Sequence, residues 1–303
     1  MKFKLTLFYL IIFFSFKLFA QQDSQYTQYM YNTVNINPAY AGSRDALSIF
    51  LLHRTQWVGL DGAPVTNNAS LHTPIGDSNF GVGLSFVNDR IGPSTENMIS
   101  ADLAYFIQIS SNYKLSVGLK GTANIFNLDV NRLNIFDQND PQFQNLDADF
   151  TPNIGAGLYL FSDATYVGLS VPNFFETKHY NDNDVAINRE KMHFYLIAGH
   201  VFELSPSIKF KPAFLSKIVE GAPFQLDVTA NFLINEKFTI GGAYRWDSAV
   251  SGLVGFQISQ SMFIGYGYDM ETTKLSNYNS GSHEIFFRFE LFNNNRVTSP
   301  RFF

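Results

Sequence analysis

The sequence predicts an all-β fold, an antiparallel up-and-down transmembrane β-barrel of about fourteen strands with short periplasmic turns and long extracellular loops. Three observations carry that expectation. Apolar residues alternate with small or polar ones at period two along most of the chain, tight and long connections interleave, and a heavy aromatic load meets few charges. The 303 residues include 32 Phe, 15 Tyr and 2 Trp, while only 16% are charged, against about 25% in an ordinary soluble domain. This disfavours a disordered chain, which lacks aromatics, and a nucleic-acid partner, which needs a basic surface. Without cysteine there is no disulfide framework, thiolate nucleophile or Cys-ligated metal.

The elements follow in chain order. Residues 1–20 read as a secretory signal peptide: Met1 to Lys4 is basic, Leu5 to Phe16 apolar, and Leu18-Phe19-Ala20 ends in a plausible cleavage site. Cleavage removes Lys2, Lys4 and Lys17 and no acids, so the net charge moves from −5 to −8. The apolar run is too short to span, and no later stretch of the sequence reaches the length a spanning helix requires. Residues 21–44 are polar and Asn/Tyr-rich, with turns at Asn37-Pro38 and Ala41-Gly42. They are expected in the periplasm or folded into the lumen.

Residues 45–292 carry the barrel, with strands near 45–57, 64–73, 79–88, 97–109, 113–128, 150–161, 165–173, 191–202, 207–217, 224–234, 237–246, 250–258, 261–270 and 283–292. Within them Val82, Leu84 and Phe86 oppose Gly81, Gly83 and Ser85, and Leu115, Val117 and Leu119 oppose Ser116, Gly118 and Lys120. Apolar-out, polar-in alternation in segments of about ten residues is the outer-membrane signature. The inner face is unusually rich in glycine, which weakens a strand unless another segment packs closely against it. A narrow, partly filled lumen explains that. Tight gaps such as 110–112, 162–164 and 235–236 interleave with the long polar ones 129–149, 172–190 and 271–282. An up-and-down barrel needs this parity, and the even count puts both ends on the periplasmic side. Residues 293–303 form a tail ending Pro300-Arg301-Phe302-Phe303, either frayed or a docking peptide.

Several motifs carry a resemblance. Gln25-Tyr26-Thr27-Gln28-Tyr29-Met30-Tyr31-Asn32 leads into Asn35-Ile36-Asn37-Pro38-Ala39-Tyr40-Ala41-Gly42-Ser43. Arg54-Thr55-Gln56-Trp57, Asp61-Gly62-Ala63-Pro64, Asp140-Pro141 and Gly281-Ser282-His283-Glu284-Ile285 follow in order. This resembles the PorP/SprF family of type IX secretion system membrane proteins from the Bacteroidota, across nearly the whole mature chain. The resemblance implies a non-enzymatic outer-membrane barrel that anchors or helps export a surface protein. Its implied client is an adhesin used in gliding, with a C-terminal sorting domain that is not cleaved. Its implied partners are that client, outer-membrane lipid, and the periplasmic ring or peptidoglycan-linked parts of the system.

The residues themselves offer little chemistry. The six His are scattered and no G-x-S-x-G elbow exists, so no catalytic constellation is expected. Asp137-Gln138-Asn139-Asp140 and Asn181-Asp182-Asn183-Asp184 offer oxygens of the type Ca²⁺ takes. They lack EF-hand spacing and read as solvated loops with Asx turns. No metal and no cofactor is expected. Lys120, Arg245, Asp269, Glu284, Arg288 and Glu290 fall on inward faces, and buried charges persist only when paired or wet, so a cross-lumen ion-pair network is expected. Inward rings such as Tyr159, Tyr166 and Phe286 favour a plugged barrel over the alternative, a passive pore or uptake barrel. Client contact is assigned to Phe136, Phe143, Phe174, Phe175 and Tyr180 on the long loops, as aromatic anchors in polar text. Periplasmic contact is assigned to Gln28 to Ser43, with Gln28, Tyr29, Asn37, Pro38, Ala39 and Gly42 as the motif residues.

Overall fold

The computed structural model describes residues 29–133, 145–180 and 186–291, the stretch 177–180 and 186–190 by its backbone alone. The expectations placed on the signal peptide, Gln28, Phe136, Phe143, the two oxygen-rich loop motifs and the tail lie outside the described residues. So does the side chain of Tyr180.

Fourteen antiparallel strands close into a barrel. They are β1 Leu47–Thr55, β2 Val65–Pro74, β3 Phe80–Ile91, β4 Ser94–Gln108, β5 Lys114–Leu128, β6 Leu146–Phe161 and β7 Thr165–Val171. The circuit continues with β8 His193–His200, β9 Ile208–Val219, β10 Gln225–Ile234, β11 Phe238–Arg245, β12 Ala249–Gln257, β13 Met262–Glu271 and β14 Ser282–Leu291. Each pairs with its neighbour in sequence, and β14 returns to pair β1 from Leu47↔Leu291 to Thr55↔His283. No free edge is left along that seam, which is how a barrel satisfies its backbone in lipid.

Four details depart from the sequence reading. The eighth strand breaks at Val201 and resumes at Phe202–Ser205, pairing there with β9 alone. The β3–β4 hairpin runs on to a tight connection at Gly92-Pro93, and β6 begins at Leu146 rather than near residue 150. A two-stranded ribbon, Thr177–Tyr180 with Ala186–Glu190, occupies the connection expected to be plain loop. The outer connections of β3–β4 and β11–β12 are therefore short, while those of β1–β2, β5–β6, β7–β8 and β13–β14 are long. On the other end, Asn235 and Glu236 both adopt positive φ, 52° and 54°, the backbone of the two-residue turn that matches strand twist.

With 15 residues, β4 rises roughly 37 Å at about 3.3 Å per residue and a tilt near 40°, well beyond an apolar band of about 25 Å. The tall sheet β3–β6 therefore stands above the membrane on the long-loop side. Around the rest of the wall the alternation is regular. Leu84, Leu119, Val167, Ile240 and Phe256 point outward and exposed, while Ser85, Lys120, Ser170 and Thr239 point inward and buried. Ile75, Ile109, Leu204 and Ile258 end their outward rows just before the tight turns and are exposed. They mark the inner edge of the lipid-facing belt. Among the described residues, no helix is long and apolar enough to cross a membrane.

Candidate functional site

The lumen is filled by the segment that precedes β1. A short 3₁₀ turn at Tyr29–Tyr31, one helical turn at Thr33–Ile36 and a second 3₁₀ turn at Pro38–Tyr40 make a compact plug. Its punctuation is local. The Asn37 side chain accepts a hydrogen bond from the Ala39 N–H at 3.0 Å, and Pro38 opens the next turn, where its missing N–H costs nothing. Gly42 then bends the chain at φ +76° toward β1.

Polar contacts fix the plug along the barrel axis. Asn32 Nδ2 donates to Asn68 Oδ1 at 2.6 Å, and Asn32 Oδ1 accepts from Ser70 Oγ at 2.8 Å. Ser170 Oγ donates to the Ile36 carbonyl at 2.7 Å, and Asn37 Nδ2 to the Leu158 carbonyl at 3.0 Å. Nearer the periplasmic end, the Gly42 N–H donates to His72 Nδ1 at 3.2 Å, and Arg44 pairs with Glu290. Rings complete the seal: Tyr31 packs on Phe286 and Phe263 with centroids 4.6 and 5.3 Å away, and Tyr40 meets Tyr159 edge-on at 5.4 Å. Burial pushes the phenols of Tyr29 and Tyr31 well above their ordinary range, so both stay neutral.

The inward glycines now have a cause. A Cβ on Gly118 would land on the backbone of Pro38 and Ala39, one on Gly157 on the Asn37 amide, and one on Gly81 on the Ala41 carbonyl. The wall is thinned where the plug lies against it. Elsewhere Phe286 covers Gly265 and Phe263 covers Gly255.

The sequence leaves residues 21–44 in the periplasm or in the lumen, and assigns Tyr29, Asn37, Pro38, Ala39 and Gly42 to a periplasmic contact. They lie inside the barrel and buried, the lumenal of the two places, with Tyr29 4% and Asn37 and Ala39 0% exposed. The physical reason is their company: a run of Tyr, Met, Val, Ile and Ala finds its apolar partners only among the inward rings.

The inward charges are all buried, yet they form three groups rather than one network. In the outer half, Arg54 reaches Asp269 at 2.7 Å and Glu284 at 3.1 Å, beside Arg245 with Asp227 at 2.9 Å. Midway, Lys120 pairs with Asp102 at 2.8 Å and donates to the Val34 carbonyl at 3.4 Å. Near the inner end, Arg288 lies 3.7 Å from Glu290. Arg54, Asp102 and Asp227 were missed by sequence. Register would have found them, because Arg54↔Glu284, Asp102↔Lys120 and Asp227↔Arg245 are directly opposed pairs.

At the outer mouth Phe174 and Phe175 are exposed, as are Phe224, Trp246 and Tyr278. The last three sit on or beside the outer connections, two of which are too short to stand out as loops. Trp57 Nε1 donates to Glu271 at 2.9 Å, and backbone bonds between Val58 and residues 280–281 tie the first outer loop to the last. Among the described residues, no cluster of three or more His, Asp or Glu side chains could hold a metal.

The chain matches the family described as Type IX secretion system membrane protein PorP/SprF over residues 18–289. It belongs to that family. No curated protein matches it in sequence. Among solved structures, the Pseudomonas putida toluene transporter TodX superposes with a TM-score of 0.51 at 11% identity, covering 90% of this chain and 96% of that one. A barrel described as the CymD monoaromatic hydrocarbon channel gives 0.51 at 13%, covering 91% and 95%. At such identity the likeness is one of fold. This PorP/SprF family member is thus an outer-membrane β-barrel of the type IX secretion system.

Proposed function

We propose that this PorP/SprF protein is a non-enzymatic barrel that retains, or helps export, one surface protein of the type IX system. The client is an adhesin-type protein with an uncleaved C-terminal sorting domain, used in gliding. It is held by the outer connections, with Phe136, Phe143, Phe174, Phe175 and Tyr180 as anchors and Phe224, Trp246 and Tyr278 beside them. The observation that carries this reading is the plug. A lumen sealed by the chain's own residues 29–44 leaves the rim and the loops as the working surface. With Tyr29 to Ser43 sealed inside, contact with the periplasmic ring or peptidoglycan-linked components falls to the short turns and the tail 293–303.

The test replaces segments 129–149, 172–190 and 271–282 by short turns and follows the surface protein that co-purifies with the intact barrel. Release of that protein into the medium is expected. Its continued retention at the surface would remove the loops from the account. The other reading is a passive uptake barrel, which the resemblance in fold to channels suggests, and the same plug opposes it. A large, steady conductance of the purified protein in planar bilayers would reverse that preference.

A further inference from the structure

Directly above the plug, on the extracellular side, the lumen keeps a cavity of about 70 Å³ whose lining is more apolar than polar, room for roughly five or six waters at about 10–15 Å³ each. Its floor is Asn35 and Ile36 of the plug. One part of its wall is a row of hydroxyls at one level of the barrel, because register sets Ser85 opposite Ser100 and Ser100 opposite Thr122, with Val87 and Met98 beside them. All three point inward and are buried, and Ser100 Oγ lies 3.0 Å from Thr122 Oγ1. Pro172, Asn173 and Tyr195 complete the lining.

The far side is positioned by specific local chemistry. A Cβ on Gly155 would collide with Pro172, so glycine there lets the chain fold inward after β7. The Asn153 amide then holds it, donating to the Phe175 carbonyl at 2.8 Å and accepting from the Phe175 N–H at 3.0 Å. This brings Asn173 over the hydroxyl row.

We propose that this cavity binds a neutral pyranose unit, entering from the extracellular side. Hydroxyls that both donate and accept match a sugar's ring of hydroxyls, and Val87, Met98 and Tyr195 supply apolar lining for its C–H groups. The one cation lining the cavity among the described residues, Lys120, is already matched by Asp102 at 2.8 Å, which removes the pull on a phosphate or carboxylate. An added peptide strand is disfavoured, since β3, β4 and β5 are each paired on both sides at this level and strand addition needs an open edge. The site is independent of client retention by the loops.

The experiment titrates the full-length, detergent-purified barrel with D-glucose, N-acetyl-D-glucosamine, methyl α-D-mannopyranoside, maltotriose and a Gly-Ser hexapeptide, read by saturation-transfer NMR and calorimetry. Saturable millimolar binding of at least one sugar is expected. Maltotriose binding points to the end of a glycan chain, and monosaccharide binding alone to a free sugar; both support the site. The double variant Ser100→Ala, Thr122→Val should bind roughly tenfold more weakly, the effect of losing two neutral hydrogen bonds. Asn173→Ala, which lies outside every strand, tests the same cavity if the double variant fails to show the heat-modifiable gel mobility of a folded barrel. No sugar binding, binding of the hexapeptide alone, or sugar binding unchanged in these variants would overturn the proposal.

Discussion

Gly118 and Arg54 show how much of this barrel hangs on single inward positions. On β5, Gly118 lies against the backbone of Pro38 and Ala39, with no space for a side chain. Gly118→Leu should therefore destabilise the barrel by about 1–3 kcal/mol, the usual cost of overpacking, and should loosen the plug. A lower temperature for the heat-modifiable gel transition, with new protease cleavage near Tyr40, is the expected result. Arg54 is a different case, since its guanidinium sits between Asp269 and Glu284. Arg54→Ala leaves two carboxylates buried without it, and breaking such a group costs about 3–5 kcal/mol. The double variant with Glu284→Gln should recover part of that loss in denaturant titrations. If it recovers nothing, the ion pairs are not what holds the outer half of the lumen.

At the scale of elements, the plug is the decisive piece, because it turns a fourteen-strand cylinder into a sealed one. It is held by hydrogen bonds to β2, β6 and β7 and by rings from β6, β13 and β14. Its hold is distributed, so weakening one contact should leave the lumen closed. Removing residues 21–43 while keeping Arg44 should instead open it, with a conductance in planar bilayers well above that of the intact chain. A silent deletion variant would mean that another segment closes the lumen. The tall sheet β3–β6 is the second distinctive element. Its upper part extends beyond the apolar band, which fits the polar Asn88, Glu96, Asn97 and Asn127 it carries, while Asp89 turns inward, buried, and accepts from Thr66 Oγ1 at 2.6 Å.

At the scale of the molecule, the barrel is apolar outside and polar within, and the absence of native cysteine makes that inversion easy to measure. Leu119→Cys labelled with a fluorophore should be strongly quenched by a nitroxide lipid in reconstituted vesicles, since Leu119 is 61% exposed on the outer wall. Ser116→Cys, three residues earlier and fully buried on the inner wall, should resist labelling and escape quenching. Equal quenching at both positions would contradict the assigned strand parity. The same inversion accounts for the aromatic load. Phe202, Phe210 and Phe232 stack across adjacent strands near the inner end of the lipid-facing wall, while Tyr31, Phe263 and Phe286 line the sealed interior.

The sequence by itself determined the strand order, the inward and outward faces and the fourteen-strand count, because period-two alternation and turn spacing are local signals. It also marked Lys120, Arg245, Asp269, Glu284 and Arg288 as inward, since parity follows from strand phase. Only the tertiary structure decided what those charges touch. Their partners Asp102, Asp227 and Arg54 come from neighbouring strands, and register is not written in any one strand. The destination of Tyr29 to Ser43 was likewise nonlocal. A polar-looking, Asn-rich segment reads equally as periplasmic or lumenal until the glycines at 81, 118 and 157 are seen to form one cradle. They lie on three different strands, and only closure of the barrel brings them around the same few residues.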